Sequence, residues 1–291
     1  MTSDCMFPEF QKARLLVHIA FHYTPARVTY LTQVLAAISR YQFAQVQVVI
    51  DTNSPEASAL DLPHAKHLAV LWQTHEKLSD PFQLTWQHRL GMAQQRQNYD
   101  YFMYLEDDMV VPFEALQAWR RDSELLHPLG YLRGFLRTEI DANGRVVSTD
   151  QKAVTAPGNY RRVGAQLWYY PENPYHATWV VSREQLDEFM DSPAWIDGNN
   201  PEWGVRERAA AGMTWAGGSP HRTLLPLNAN GLTHEDARIR HLPNNYALDD
   251  AEEYGSLDLD TLHNQNILAV CYRAWLGLLQ KLAPAASNSV D

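Results

Sequence analysis

The stretch Tyr101-Phe102-Met103-Tyr104-Leu105-Glu106-Asp107-Asp108-Met109-Val110-Val111 constrains this chain more than any other. An unbroken aromatic and aliphatic run is the pattern of a strand covered on both faces, and here it stops at three adjacent carboxylates before the chain turns apolar again. Three acids at the end of a buried strand repel one another and lose hydration, so a cation or a set of donors must neutralise them. Oxygen ligands of this kind suit a hard divalent ion such as Mg2+ or Mn2+, which also takes phosphate as a ligand. The plainer alternative is an acidic turn after a core strand.

The surrounding pattern supplies strands and helices in alternation. Arg14–Phe21 reads as a first buried strand, closed by His22-Tyr23-Thr24, with Pro25 opening a helix that runs to about Tyr41. Val46–Ile50 is a second strand ending in Asp51-Thr52-Asn53. His67–Trp72 is a third, followed by a helix from about Pro81 to Gln97 that carries His88 and Arg89. With the acidic strand as the fourth, this is the layout of an α/β fold, a mostly parallel sheet flanked by helices with its ligand crevice at the carboxyl ends. Asp51 then either faces that crevice or caps the turn before Pro55. His88 and Arg89 either reach a bound phosphate or lie on a solvated helix face.

A helix from Pro112 to Leu126 follows, then a strand from Gly130 to Ile140 and a hairpin through Asn143-Gly144 into Arg145–Ser148. Between Thr149 and Pro174, Tyr160, Trp168, Tyr169 and Tyr170 form either a platform for a sugar ring or core packing. Ala177–Ser182 is another strand, and Ser182 with Gln185 has capping-box spacing. Asn200 as N-cap, Pro201 in the first turn and Gly212 as the stop predict a helix with Glu202 in its first turn, where the dipole keeps a carboxylate ionised as a general base requires. Glu207, between Arg206 and Arg208, is either a second candidate base or a surface ion-pairing residue. His234 and His241 could each add an imidazole to a metal site. Asp249–Glu253 reads as an acidic linker, and about Leu262 to Leu282 as an amphipathic helix available for packing, oligomer contact or docking at a membrane surface.

Charge narrows the partners. With 34 acidic against 24 basic residues the formal charge is −10, which argues against a nucleic acid as partner and means that an anionic ligand needs a local cationic device. The two cysteines, Cys5 and Cys271, lie far apart and imply neither a disulfide framework nor a thiolate zinc site. Without an apolar leader or a spanning segment in the reading, a cytoplasmic location is expected, with a peripheral membrane contact left to the last helix.

Taken together these motifs resemble a nucleotide-sugar glycosyltransferase of the GT-A fold over roughly Arg14 to Tyr246. Tyr-Leu-Glu-Asp-Asp is similar to the acidic metal motif of that fold. The resemblance implies Asp108 as ligand of Mn2+ or Mg2+, with Glu106 and Asp107 orienting the donor. It places His22, Tyr23, Asp51 and Thr52 at the nucleobase and ribose, and Tyr175–Arg183 along the donor sugar and acceptor. Arg238-Ile239-Arg240-His241 resembles the strand end that bears the family's metal histidine, which favours His241 over His234. Pro201–Glu207 resembles the helix start bearing the base of inverting members, with Glu202 and Glu207 both open.

The resemblance implies a GT-A domain over residues 1–250. A nucleotide-binding part would span about 12–111 and an acceptor side about 112–250, with residues 251–291 as linker, helix and tail. The expected activity is inverting transfer of a sugar from a UDP-sugar or similar nucleotide-sugar donor to a carbohydrate or glycolipid acceptor in bacterial-type polysaccharide or glycoconjugate synthesis. Rival classes are a metal-dependent phosphohydrolase or nucleotidyltransferase, which needs acids for a second metal, and a non-catalytic carbohydrate-binding protein, which needs no buried triplet.

Overall fold

The structure, a computed structural model, describes residues 8–151, 159–171, 173–197, 203–213, 222–228, 231–248 and 257–259. The chain divides into two units, residues 1–117 with 175–220 and residues 118–174 with 221–291. The predicted helix of residues 262–282 and the linker at 249–253 lie outside the described residues.

The first unit opens with β1 (Arg14–Phe21), a 3-10 turn (Pro25–Arg27) and α1 (Val28–Ile38), then β2 (Gln45–Thr52) and β3 (Leu68–Thr74). A 3-10 helix (Pro81–Trp86) leads into α2 (His88–Gln95), and β4 (Tyr101–Glu106) and the two-residue β5 (Met109–Val110) bracket Asp107 and Asp108. Helix α3 (Phe113–Leu126) begins in this unit and ends in the other. β1, β2 and β4 show seven, seven and six buried residues in succession, which is why they read as apolar runs. β3 alternates between half-buried and exposed positions, as expected of a strand at the edge of its sheet.

The second unit takes the chain through β6 (Tyr131–Arg133), β7 (Leu136–Ile140), β8 (Val146–Ser148), β9 (Tyr160–Val163) and β10 (Gln166–Tyr169). The chain returns to the first unit with β11 (Thr178–Ser182), α4 (Arg183–Asp191), α5 (Ala194–Asp197) and α6 (Val205–Ala210). It closes in the second with β12 (Arg222–Pro226), β13 (Arg238–His241) and β14 (Leu257–Asp258). Ser182 and Gln185 form the predicted capping box at the start of α4.

The sheet of the first unit has the order β11-β4-β1-β2-β3. β1 to β4 are mutually parallel and β11 runs antiparallel to β4. The order therefore reverses direction between β1 and β4, so the carboxyl ends of those two strands flank the topological switch point.

The strands of the second unit do not extend this sheet. They build a sheet β6-β12-β10-β9, parallel only between β6 and β12, and a ladder β14-β8-β7-β13, parallel only between β7 and β13. The fold is α/β with mixed, partly antiparallel sheets rather than one central parallel sheet. The strand expected over 130–140 is two strands in different sheets, and the expected β7–β8 hairpin forms through its Asn143-Gly144 turn.

The aromatics expected as a sugar platform are largely interior. Trp168 and Tyr169 are each 1% exposed and sit in two hydrophobic clusters, with Tyr160 packed against one and Tyr170 against the other. Among the described residues no helix is long and apolar enough to cross a membrane.

Candidate functional site

The carboxyl ends of β1 and β4 open into a cavity of about 370 Å³ in the first unit. β1 and the turn after it contribute Ala20, His22 and Arg27; the end of β4 contributes Glu106 and Asp107; and α6 contributes Arg206. The remaining wall is the 3-10 helix before α2, with Pro81, Phe82, Leu84 and Thr85. One side of the cavity is thus charged and the other apolar, with Phe82 57% exposed.

Each acid of the triplet has its own partners. Glu106 accepts a hydrogen bond from the Tyr175 hydroxyl at 2.9 Å and lies 4.0 Å from the Arg206 guanidinium. Asp107 accepts two bonds from Arg27, from Nε at 2.8 Å and from Nη2 at 2.6 Å. The same Nη2 reaches Asp108 Oδ2 at 2.8 Å. Asp107 and Asp108 are 2% and 5% exposed, and this guanidinium supplies positive charge of the kind that the sequence demanded.

Burial pushes the Asp107 carboxyl up to about 7, against the pull of the Arg27 bonds and with a further push from the charges of Asp108 and Glu106. For Arg27, burial acts downward, but the hydrogen bonds and charges of Asp107 and Asp108 prevail and raise it. The Glu106 charge raises Arg206 in the same way. The backbone adds to this order: Glu106 N–H donates to Ala177 O at 3.2 Å, and Ala177 has φ 54, a left-handed conformation that costs an alanine about 1 kcal/mol.

Of the residues expected from sequence, the structure gathers His22, Glu106 and Asp107 at the cavity, with Asp108 beside them on Arg27. Tyr23 directs its backbone N–H to Asn53 Oδ1 at 2.6 Å and sets its ring edge against Phe21. Asp51 and Thr52 are 1% and 0% exposed and do not line the cavity. Each Asp51 oxygen has a histidine partner, Oδ2 with His18 Nδ1 at 2.7 Å and Oδ1 with His75 Nε2 at 2.8 Å, so this carboxylate ties β1, β2 and the segment after β3 together.

His88 and Arg89 are neither solvated nor at the cavity. They are 1% and 6% exposed, and Arg89 directs Nη1 to the carbonyls of Ala194 (3.0 Å) and Trp195 (2.7 Å) and Nη2 to that of Ala209 (3.2 Å). Its guanidinium carbon lies 4.7, 4.6 and 4.9 Å from the rings of Trp86, Phe189 and Trp195. Arg89 Nε–H also donates to His88 Nε2 at 2.9 Å while His88 Nδ1 faces Thr85 O at 2.6 Å. The carbonyl can only accept and Nε2 is already an acceptor, so the imidazole is neutral with its proton on Nδ1. Burial and the Arg89 charge hold His88 well below the usual histidine range. The pair clamps α4, α5 and α6 together, and Trp86 Nε1–H adds a bond to Val205 O at 2.8 Å at the start of α6. Its contribution to the cavity is indirect, through the placement of Arg206.

Helix α6 begins at Val205 with Gly204 as N-cap, four residues later than the Asn200-Pro201 signal predicts. Glu207 occupies the third helical position, is 35% exposed and accepts from Arg206 Nη2 at 3.2 Å. It does not line the cavity, and Glu202 lies outside the described residues. His241 belongs to the second unit, where its Nδ1 faces Glu139 Oε1 at 2.5 Å. His234 caps a short 3-10 helix there and accepts from Asp236 N at 3.3 Å.

Sequence reasoning passed over Arg27, Arg206 and Phe82 as site residues. The only available signal was position: Arg27 follows the end of β1 by six residues, and Phe82 follows a helix-starting Asp80-Pro81.

A divalent ion was expected at the triplet, and the donor set fits one. Among the described residues no three His, Cys, Asp or Glu side chains converge on one point. What is present is a pair of adjacent carboxylates, Asp107 and Asp108, whose facing oxygens are bridged by a guanidinium acting as a stand-in cation. One or two carboxylates are the usual protein contribution to an ion that completes its shell with phosphate and water. Comparison of the sequence with protein families and with curated proteins found no match.

Proposed function

We propose that this chain is a metal-dependent glycosyltransferase of the GT-A type. It would move a sugar from a nucleotide diphosphate donor, with UDP-sugars the first class to test, to a hydroxyl of a carbohydrate or glycolipid acceptor. The observation that carries the reading is the place of the acid triplet: it stands at the end of a parallel strand at the switch point of its sheet, and Glu106 and Asp107 line a cavity that is charged on one side and apolar on the other. A volume of about 370 Å³ suits part of a drug-sized ligand.

The charges favour a diphosphate only in company. Glu106, Asp107 and Asp108 outnumber Arg27 and Arg206, so a bare diphosphate meets a net negative wall. Asp107 and Asp108 would hold a divalent ion, which would reverse that sign and supply electrostatic stabilisation to a leaving diphosphate. Phe82, Leu84 and Pro81 offer an apolar face to a nucleobase or sugar ring. Glu106, fixed by Tyr175 and Arg206, orients a donor hydroxyl. A glutamate of the 202–207 segment takes the proton of the attacking hydroxyl, which makes the reaction a single displacement with inversion.

The test is a panel of nucleotide-sugars incubated with Mn2+ and simple sugar acceptors, read by release of nucleoside diphosphate and by the anomeric configuration of the product. Release with one donor class, abolished by chelation and by Asp108→Ala, is the expected result. Release of nucleoside monophosphate and sugar 1-phosphate from the donor instead would place the chain among phosphohydrolases, and retention of configuration would remove the displacement step.

A further inference from the structure

Arg27 and a metal ion have a claim on the same oxygens. The guanidinium holds Asp107 through both carboxylate oxygens and Asp108 through Oδ2, at 2.6 to 2.8 Å. Its Nη1 makes no hydrogen bond to the described residues, and the side chain is 32% exposed where Asp107 and Asp108 side chains are 3% and 8%. Arg27 lines the cavity and stands on a 3-10 turn whose N-cap, Thr24, makes no capping bond. A long side chain on a short turn can leave the acids without unfolding any regular element.

We infer that Arg27 is an exchangeable counter-ion: it holds Asp107 and Asp108 together until a divalent ion takes them, and then turns its guanidinium to the phosphates of the ligand. The inference rests on the metal-dependent reading of this cavity and adds to it an order of events. A divalent ion entering between these carboxylates meets a cation already seated on three of their oxygens, so repulsion between the two favours displacement of Arg27 into water when the ion binds alone. A diphosphate arriving with the ion gives the displaced guanidinium a planar, bidentate partner of the kind it has just left. Metal and diphosphate therefore bind with positive coupling, and each raises the affinity for the other by the same factor. An acidic cleft guarded in this way takes up the metal–nucleotide complex in preference to the free ion. The same guanidinium places a positive charge between two buried carboxylates when no ligand is present.

The experiment measures Mn2+ binding by the electron paramagnetic resonance signal of free Mn2+, with no nucleotide present, in the wild type, Arg27→Gln, Arg27→Lys, Arg206→Gln and Asp108→Ala. Losing the competing cation should tighten Mn2+ binding in Arg27→Gln by about tenfold, the scale of one charge-assisted bond. Arg206→Gln removes a charge of the same cavity that touches only Glu106 of the triplet, and should change the affinity by less than about threefold. Arg27→Lys keeps the charge but not the fork, and should fall between wild type and Arg27→Gln. Isothermal titration of UDP with Mn2+ saturating should then show weaker UDP binding in Arg27→Gln, the opposite direction from the ion alone.

Mn2+ affinity that is unchanged or weaker in Arg27→Gln, with Mn2+ still lost in Asp108→Ala, overturns the exchange and leaves the metal site standing. Equal tightening in Arg206→Gln reduces the effect to general electrostatics and also overturns it. Absence of Mn2+ binding from every protein, with UDP present or not, removes the metal reading and the inference together.

Discussion

Replacing Arg89 by alanine tests whether the architecture around the cavity is held as described. The guanidinium supplies hydrogen bonds to the carbonyls of Ala194, Trp195 and Ala209 and to His88 Nε2, all from within a cage of three aromatic rings. Removing it takes a donor from each of four interior acceptors. An unsatisfied buried polar group costs about 1–3 kcal/mol, and the lower end applies here because the emptied volume admits water. Burial also lowers Arg89 itself to about 9, so part of the loss is offset by no longer holding a charge away from water. The net expectation is a destabilisation of about 3–5 kcal/mol, a large fraction of a typical domain's stability. Arg89→Lys keeps one charge but neither the planar fork nor the stacking, and should recover no more than about half. Urea unfolding followed by tryptophan fluorescence suits the measurement, since Trp86 and Trp195 flank the guanidinium. A change below about 1 kcal/mol in Arg89→Ala would refute the clamp, and with it the account of how α6 and Arg206 are placed.

Three further outcomes follow from the same geometry. His88 is neutral and buried, so below pH 6.5 the unfolded chain takes up a proton that the folded one does not. Its contribution to stability is therefore complete above 6.5 and falls with acid by up to about 1.4 kcal/mol per pH unit, and this increment in slope between pH 5 and 6.5 should be missing from His88→Leu in urea titrations. Gly91→Ala should destabilise by about 1–3 kcal/mol in thermal unfolding, although alanine in a free helix would stabilise: a Cβ at this position would stand 2.6 Å from the buried ring of His18, which Asp51 holds in place. Tyr175→Phe removes the hydroxyl that orients Glu106 and should weaken UDP binding in the presence of Mn2+ by about three- to tenfold in isothermal titration while shifting the melting temperature little.

The first unit was legible because its physics is local. Strands buried on both faces must be continuous apolar runs, and β1, β2 and β4 are. The Ser182–Gln185 capping box and the turn at Asn143-Gly144 are likewise short-range signals. The second unit was less legible because strands of two to five residues carry little periodicity and because several of its buried positions are charged. Arg133, with a fully buried side chain, is matched by Asp122 and Asp236, and Arg137 by Asp150, so burial there depends on partners distant in the chain.

The site divides along the same line. Carboxylates at a buried strand end announce a need for positive charge, but nothing in the spacing says that the charge is Arg27, eighty residues earlier. Asp51, His88 and Arg89 look the same in sequence whether they face a ligand or close an interior network. The signal at Asn200-Pro201 was strong on local grounds, yet the described helix starts at Val205, where Gly204 as N-cap and Glu207 at the third position offer a competing start.

The most direct test of the account is thermal unfolding of the wild type and Asp108→Ala with Mn2+ alone, UDP alone and both together. Ligands at about a hundred times their dissociation constant stabilise by about 2.7 kcal/mol, which corresponds to a rise on the order of 5 °C for a chain of this size. The account predicts that rise only when Mn2+ and UDP are both present, exceeding the sum of the separate shifts, and its disappearance in Asp108→Ala. Full stabilisation by UDP without a divalent ion, or an undiminished joint shift in Asp108→Ala, would contradict it.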